Sequence, residues 1–241
     1  MRNIVAVVQA RTGSSRLPGK VMKLVAGRPL IEILIKRLSA SKRINKIILA
    51  TSRRKENDEL VNHVEQLGID VYRGSESDVL DRFYQVAIKY HLESIVRITG
   101  DCPIIDPEVV DAVIEQYEIT GADYASNIEP PTWPDGLDVE VFSFVALSIA
   151  WNRTNNRFGR EHVTPYIRNS NNFTKANLAN KQDLSSERWT VDEPQDLEVI
   201  RNIVEHFDPS LCFSWKDVME LKSSHLDYFE ANRGIQRNSG T

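Results

Sequence analysis

Residues 4–20 decide the fold: Ile4-Val5-Ala6-Val7-Val8-Gln9-Ala10-Arg11-Thr12-Gly13-Ser14-Ser15-Arg16-Leu17-Pro18-Gly19-Lys20. Ile4–Val8 is wholly apolar and mostly β-branched, which predicts a strand buried on both faces, as in a parallel sheet covered by helices. Gln9–Lys20 then predicts a polar loop carrying Gly13 and three cations, Arg11, Arg16 and Lys20. Gly13 lets backbone approach a ligand closely, and successive amides there can form an anion-binding concavity. Arginine adds bidentate forks for phosphate and lysine a point charge. The loop has neither the Gly-x-x-x-x-Gly-Lys-Ser/Thr nor the Gly-x-Gly-x-x-Gly pattern, so it is not a P-loop or a dinucleotide fingerprint. A surface loop with solvated charges is the plainer alternative.

Outward from this stretch, strands and helices alternate. A helix opens at Pro29, with Leu30, Ile33, Leu34 and Leu38 at helical spacing. Strands are expected at Ile47–Ala50, Ile69–Tyr72 and Ser94–Ile98. Helices are expected from Asn57 to the stop at Gly68, over Ser77–Tyr90, and from the cap Asp106-Pro107-Glu108 to Tyr117. Four strands, each followed by a helix, predict an α/β fold: a mostly parallel central sheet with helices on both faces. Ligands in such sheets bind beyond the carboxyl ends of the strands, which places Gln9–Lys20 and Thr99–Pro103 on one rim. After residue 121 the pattern loosens. A turn-rich loop at 130–136 leads to a strand at Leu137–Phe142 and a helix at Ser143–Trp151, followed by a polar stretch through Arg160. Further strands are expected at Phe173–Leu178 and Arg188–Val191, with a last long helix over Pro194–Phe207 and a frayed tail at 233–241.

The chain has 241 residues and a net charge of −4. Residues 1–60 carry fourteen Lys and Arg against four Asp and Glu, and the remainder sixteen against thirty. A basic N-terminal quarter implies an anionic partner. Its cations are dispersed among few aromatics and the isoelectric point is about 5.8, so a phosphate ligand fits better than nucleic acid. No run approaches the ~20 apolar residues of a membrane helix, and Ile4–Val8 is too short for a signal-peptide core. Cys102 and Cys212 stand too far apart for a metal motif and suggest no disulfide framework. The chain reads as cytoplasmic, with no nucleic-acid or membrane partner.

Three segments carry a family resemblance. Gln9–Lys20 resembles the signature Ala-Arg-x-Gly-Ser-x-Arg-x-Pro-x-Lys of the cytidylyltransferases that activate KDO and sialic acids as CMP-sugars. Arg97-Ile98-Thr99-Gly100-Asp101-Cys102-Pro103 resembles their Gly-Asp-x-Pro segment, and Val191-Asp192-Glu193-Pro194-Gln195-Asp196-Leu197 their Val-Asp-x-Pro-x-Asp-Leu segment. Residues 13–20, 78–83, 134–142 and 160–167 resemble signatures of the spore coat polysaccharide biosynthesis protein F branch. The resemblance implies a nucleotide-diphospho-sugar transferase (Rossmann-like) fold in one domain, 1–120 binding nucleotide and 121–232 binding acceptor and forming a homodimer. It implies Mg²⁺-dependent transfer of CMP from CTP to a sugar acid, releasing pyrophosphate, for surface or spore-coat polysaccharide. Thr99 and Cys102 depart from the KDO-activating enzymes, which have Gln and Glu there, so base or acceptor can differ.

The nucleotide side then comprises Ala10, Arg11, Gly13, Ser14, Arg16, Lys20, Arg73 and Thr99, with Arg11, Lys20 and Asp101 at the reaction. Asp101 and Asp192 each end an expected strand just before a proline. Two carboxylates from separate strand ends, with phosphate oxygens and water, suit Mg²⁺; capping a helix or turn is the simpler role. Asp138 and Glu140 alternate and so share a strand face. Arg160-Glu161-His162 is expected to open a helix, where an acid is favourable in any case. With Asn127 and Asp135 these are the acceptor-side candidates. Asp81 and Arg82, inside a helix, suit a surface ion pair as well as a site. A glycosyltransferase on the same fold normally shows Asp-x-Asp, which this chain lacks; Asp138-Val139-Glu140 comes nearest. A non-catalytic nucleotide-binding partner is the other alternative.

Overall fold

A computed structural model describes residues 3–237. The apolar run forms β1 (Ile4–Gln9), buried along almost its whole length. The loop after it ends in a single 3-10 turn at Lys20–Met22, and a small hairpin, β2 (Leu24–Val25) with β3 (Arg28–Pro29), leads into α1 (Leu30–Leu38). Alternation follows as the sequence predicts: β4 (Lys46–Ser52), α2 (Asp58–Gln66), β5 (Asp70–Gly74), α3 (Val79–Tyr90), β6 (Ser94–Thr99) and α4 (Pro107–Thr120). Asp106 caps α4 by accepting the Glu108 amide at 2.8 Å, and Gly121 ends it in the left-handed conformation. The second half adds β7 (Tyr124–Ser126), β8 (Glu140–Ser143), α5 (Phe144–Arg153), α6 (Arg157–His162), α7 (Pro165–Asn169), β9 (Lys175–Asn177), α8 (Pro194–Phe207) and α9 (Trp215–Ser224).

The strands form one sheet in the order β5-β4-β1-β6-β8-β7-β9. β5, β4, β1 and β6 are parallel, whereas β8 runs antiparallel to both of its neighbours. One face packs Ile31, Leu34 and Leu38 of α1, Leu60 and Val64 of α2, and Val110, Val113 and Ile114 of α4. The other packs Leu80, Phe83 and Val86 of α3, Ala146, Leu147 and Ala150 of α5, and Ile167 of α7. A third core joins α8 and α9 to Trp133, Leu137, Trp189 and the hairpin. No helix among the described residues is long and apolar enough to cross a membrane.

Strand order places the crevice. The chain leaves β1 for β4 and β5 on one side, then returns to β6 on the other, so the order reverses between β1 and β6. Crevices at such switch points open beyond the strands' carboxyl ends. Gln9 lies opposite Thr99 there. A Cβ on Gly100 would fall 2.6 Å from Ala10 Cβ and 3.1 Å from Gln9 O, so only glycine lets the two strand ends close.

The structure corrects several expectations, mostly beyond residue 121. Arg188–Val191 is not a sheet strand: its backbone bonds go to Asp135 and to Asp101 O, which lays it across the rim instead. Residues 137–139 precede β8, held by the Asn127 side chain rather than by a ladder. Arg160–His162 ends α6 instead of opening a helix, because Asn156 caps the helix from further upstream. α8 is not the last helix; α9 follows from a Ser214–Asp217 capping box. β7 and the β2–β3 hairpin, two or three residues per strand, fall below what periodicity detects. Where the chain enters the expected tail, the buried Asn232 side chain donates to Arg188 O and Asp196 Oδ1, each at 3.0 Å, and within it Arg237 pairs with Asp138. The remainder of that tail, 238–241, lies outside the described residues.

Candidate active site

At the switch point Lys20 joins two acids. Its ammonium donates to Asp192 Oδ1 at 2.8 Å, to Asp101 Oδ2 at 3.2 Å and to Val191 O at 2.8 Å. Arg16 lies beside it, 3.3 Å from Asp192 and 3.2 Å from Glu193. Burial alone lowers a lysine pKa, but Asp101 and Asp192 outweigh it and hold Lys20 above its ordinary value. Burial likewise raises Asp101, and Lys20 with a hydrogen bond from Thr99 overrides it, keeping the carboxyl ionised. Two carboxylates that share one ammonium lie within reach of one small cation. Among the described residues no group of three or more His, Cys, Asp or Glu is arranged for a metal. Two carboxylates with open positions fit Mg²⁺, which keeps waters and substrate phosphates as its other ligands.

Asp192 is held in place from behind. Asp196, fully buried, accepts the Asp192 and Glu193 amides at 2.9 Å each, and Arg188 Nε and Nη2 at 2.8 Å each. Arg188 also donates to Asp135 at 3.0 Å and Asp192 at 3.5 Å. The Asp101 carbonyl accepts from Val191 N at 2.8 Å and Thr190 Oγ1 at 3.1 Å, tying the two carboxylate segments together. Burial, reinforced by the negative charge of Asp138, pushes the Asp135 pKa up to about 7.

A second group forms around Arg11, which donates to Glu76 Oε1 at 2.5 Å and lies 3.7 Å from Glu161. Burial works against the Glu76 charge, yet hydrogen bonds from Ser52 and Arg11 hold its pKa below the ordinary value. Ala10 packs on Gly100, while the Ser14 amide is used inside the loop, donating to Thr12 O at 2.9 Å. The Thr99 hydroxyl meets Cys102 Sγ at 3.2 Å. Arg73 is not brought to Lys20: it donates to Ser52 O and Arg54 O and pairs with Asp58 at 2.6 Å.

Among the acceptor-side candidates, Asn127 is fully buried and clamps Leu137 O and Val139 N. Glu140 is buried between Arg97, with which it pairs, and the Tyr124 hydroxyl at 2.7 Å. The arginine outweighs burial and keeps Glu140 ionised. Asp138, Arg160, Glu161 and His162 are half-buried. Arg160 anchors α6, donating to Trp151 O and Thr154 O at 2.8 Å. Asp81 and Arg82 are not a surface pair: Asp81 accepts from Trp151 and Gln85, and Arg82 is buried. Glu76, Arg188, Asn232 and Arg237 were not legible as site residues. Asp196 had a signal, since it stands three residues after Glu193 at the start of a helix opened by proline, the position of a capping box.

Comparison with known proteins gives the family. The family model described as cytidylyltransferase matches residues 5–223. An uncharacterized protein of Methanocaldococcus jannaschii is 41% identical over 208 residues, covering 85% of this chain and 84% of that protein. The spore coat polysaccharide biosynthesis protein SpsF of Bacillus subtilis is 33% identical over 83% of this chain and 86% of its own length. Among solved structures, a cytidylyltransferase from Leptospira borgpetersenii superposes with a TM-score of 0.93 at 28% identity, covering 98% of this chain and all of that one. The CTP complex of CMP:2-keto-3-deoxy-manno-octonic acid synthetase, at 18% identity, shares the fold with a TM-score of 0.66 over 84% of this chain and 98% of its own. The chain, with its sheet, its cationic loop and its two rim aspartates, belongs to the cytidylyltransferase family.

Proposed function

We propose that the protein transfers CMP from CTP to a sugar acid, with Mg²⁺ and release of pyrophosphate, for a surface or spore-coat polysaccharide. The observation that carries this reading is the Lys20 ammonium bonded to both Asp101 and Asp192 at the switch point. Mg²⁺ bound by Asp101 and Asp192 would supply charge neutralisation at the phosphates. Arg11, Arg16 and Lys20 now rest on carboxylates. A triphosphate offers them stronger, multidentate partners, and Gly13, Ser14 and Ala10 let its backbone-facing side approach. Thr99 and Arg73 stand toward the nucleoside. The acceptor's anomeric hydroxyl attacks the α-phosphorus and pyrophosphate leaves, so positioning and electrostatics do most of the work.

Residues 1–120 then bind nucleotide and 121–232 the acceptor, in one domain. Asp138, Arg160, Glu161 and His162 face the sugar, with Asn127 and Glu140 supporting them. The protein acts in the cytoplasm, and exposed Val145 and Ile149 on α5 and Phe158 on α6 favour a homodimer meeting through the second half. Light scattering should give twice the chain mass, and a single-chain mass would reject that part. Pyrophosphate release from CTP, Mg²⁺ and a panel of 2-keto sugar acids tests the activity. Turnover should need all three components and vanish in Asp101→Ala; undiminished turnover in that variant would refute the assignment.

A further inference from the structure

Among the described residues three arginines are buried, and two are fully used. Arg37 donates to Ile105 O, Leu211 O and Phe213 O and stacks on the Phe213 ring, while Arg188 holds three aspartates. Arg82 differs. It is 2% exposed, yet its Nε and Nη1 are buried with no hydrogen-bond partner, and it makes no ion pair among the described residues. Gly74 makes room for it, since a Cβ there would lie 2.5 Å from Arg82 Cγ. Burial lowers its pKa to about 10, so it remains charged at neutral pH.

An unsatisfied acceptor of opposite charge lies in the same field. Glu76 gives Oε1 to Arg11, and its Oε2 is buried without a partner. Arg82 feels Glu76 and Asp78 as attraction and Arg11 as repulsion. Asp78 is already occupied, by the Asp81 amide at 2.8 Å and by Arg160 at 3.4 Å. Glu76 is therefore the acid with an unpartnered oxygen, and Arg11, beside Ser52, is the charged group it currently holds.

We infer that Glu76 exchanges partners during nucleotide binding: when a triphosphate draws Arg11 away, the Glu76 carboxylate turns to Arg82. The inference rests on the reading that Arg11 holds the triphosphate. Without Arg82, releasing Arg11 would leave the half-buried Glu76 carboxylate with no counter-charge and its Oε2 without a partner, a costly state that pulls Arg11 back. Arg82 is thus a positioning residue, acting on CTP affinity through Glu76 and Arg11. The exchange also accounts for a buried, unpaired charge next to the site, a feature that costs stability unless some state of the protein uses it.

The test combines Arg82→Met, Glu76→Gln and the double variant, with melting temperature and CTP titration read for each. Arg82→Met should leave the melting temperature without CTP unchanged or higher, since it removes an unpaired buried charge. It should raise the CTP dissociation constant and KM about tenfold, within the usual range of coupling between sites, with kcat little changed. Glu76→Gln should bind CTP at least as well as wild type. In the Glu76→Gln background, Arg82→Met should have no further effect, and Arg82→Lys should recover part of the affinity. A lower melting temperature with normal CTP binding in Arg82→Met overturns the exchange and leaves Arg82 a structural residue. Equal weakening in both backgrounds also overturns it, because Arg82 then acts on the nucleotide without Glu76. No CTP response in wild type overturns the proposed function and the exchange together.

Discussion

The two sides of the sheet handle charge in opposite ways. Along β5-β4-β1-β6, the rim cations Arg11, Arg16 and Lys20 sit on acids at partly exposed positions, in pairs that a phosphate can replace. Along β8-β7-β9 and the segments beside it, the ionic groups are more deeply buried and interlocked. Arg97 pairs with Glu140, and Arg188 with Asp135 and Asp196. Exposed pairs contribute little to stability and exchange easily, whereas breaking a buried pair strands an uncompensated charge. The first side thus has the character of machinery and the second that of its frame.

Paired substitutions break or sharpen this contrast. Asp101→Asn should lower turnover by at least about a hundredfold, in line with loss of one preorganised electrostatic contact, with only a small change in melting temperature. Arg188→Met should do the reverse first, costing about 3–5 kcal/mol and lowering the melting temperature by roughly 10 °C. Calorimetry beside a pyrophosphate assay reads both, and a large melting change in Asp101→Asn would erase the distinction.

Two glycines repeat the comparison at smaller scale. Gly136 has φ +111°, and a Cβ there would lie 2.5 Å from Trp189 C and 2.6 Å from Trp189 O. Gly136→Ala should cost about 3 kcal/mol, through backbone strain and the overlap with another segment's backbone. Gly100→Ala meets a methyl group and a carbonyl and should cost about 1–2 kcal/mol, but it also moves Asp101 and so should weaken turnover more than Gly136→Ala. Equal turnover in the two variants would count against the rim placement.

The smallest effect is one of pH. The folded pKa of Asp135, about 7, lies above its ordinary 3.8. Its contribution to stability is therefore present below about pH 4 and is lost as pH rises through 7. Asp101, Glu140 and Asp196 are shifted down, so theirs is present above their ordinary values of 3.8, 4.5 and 3.8 and is lost as pH falls below them. Asp135→Asn should match wild type at about pH 4 and melt progressively higher than it as pH rises through 7, by at least a few degrees at pH 8. Parallel melting curves across that range would show that Asp135 does not titrate there.

The same division governed what could be read from the sequence. β1, β4, β5 and β6 with their helices followed from short, largely apolar and β-branched segments alternating with 3.6-residue stripes. β9 lies inside the strand expected at Phe173–Leu178, whereas β7 has three residues and takes its partners from residues 140–142 and 175–177, which no local pattern records. The meeting of Lys20, Asp101 and Asp192 could be expected from the loop after β1, the end of β6 and the turn before α8, although the segment before Asp192 is not the strand its pattern suggests. Arg188, Glu76 and Arg237 were not, since a charged residue acquires a site role only from distant neighbours. The Arg188 side chain lies in an extended segment that reads as a strand, yet its partners are Asp135 and Asp196.

The central claim is that the β1–β6 rim binds CTP with its loop cations and two aspartates. Thermal melting with CTP, UTP, GTP, ATP and dTTP, each with and without Mg²⁺, tests it in wild type and Lys20→Met. A ligand at a hundred times its Kd stabilises by ~2.7 kcal/mol, roughly 5–10 °C for a chain of this size. The account predicts the largest shift with CTP, increased by Mg²⁺ and lost in Lys20→Met. No shift with any nucleotide, or a CTP shift that survives Lys20→Met unchanged, would contradict it.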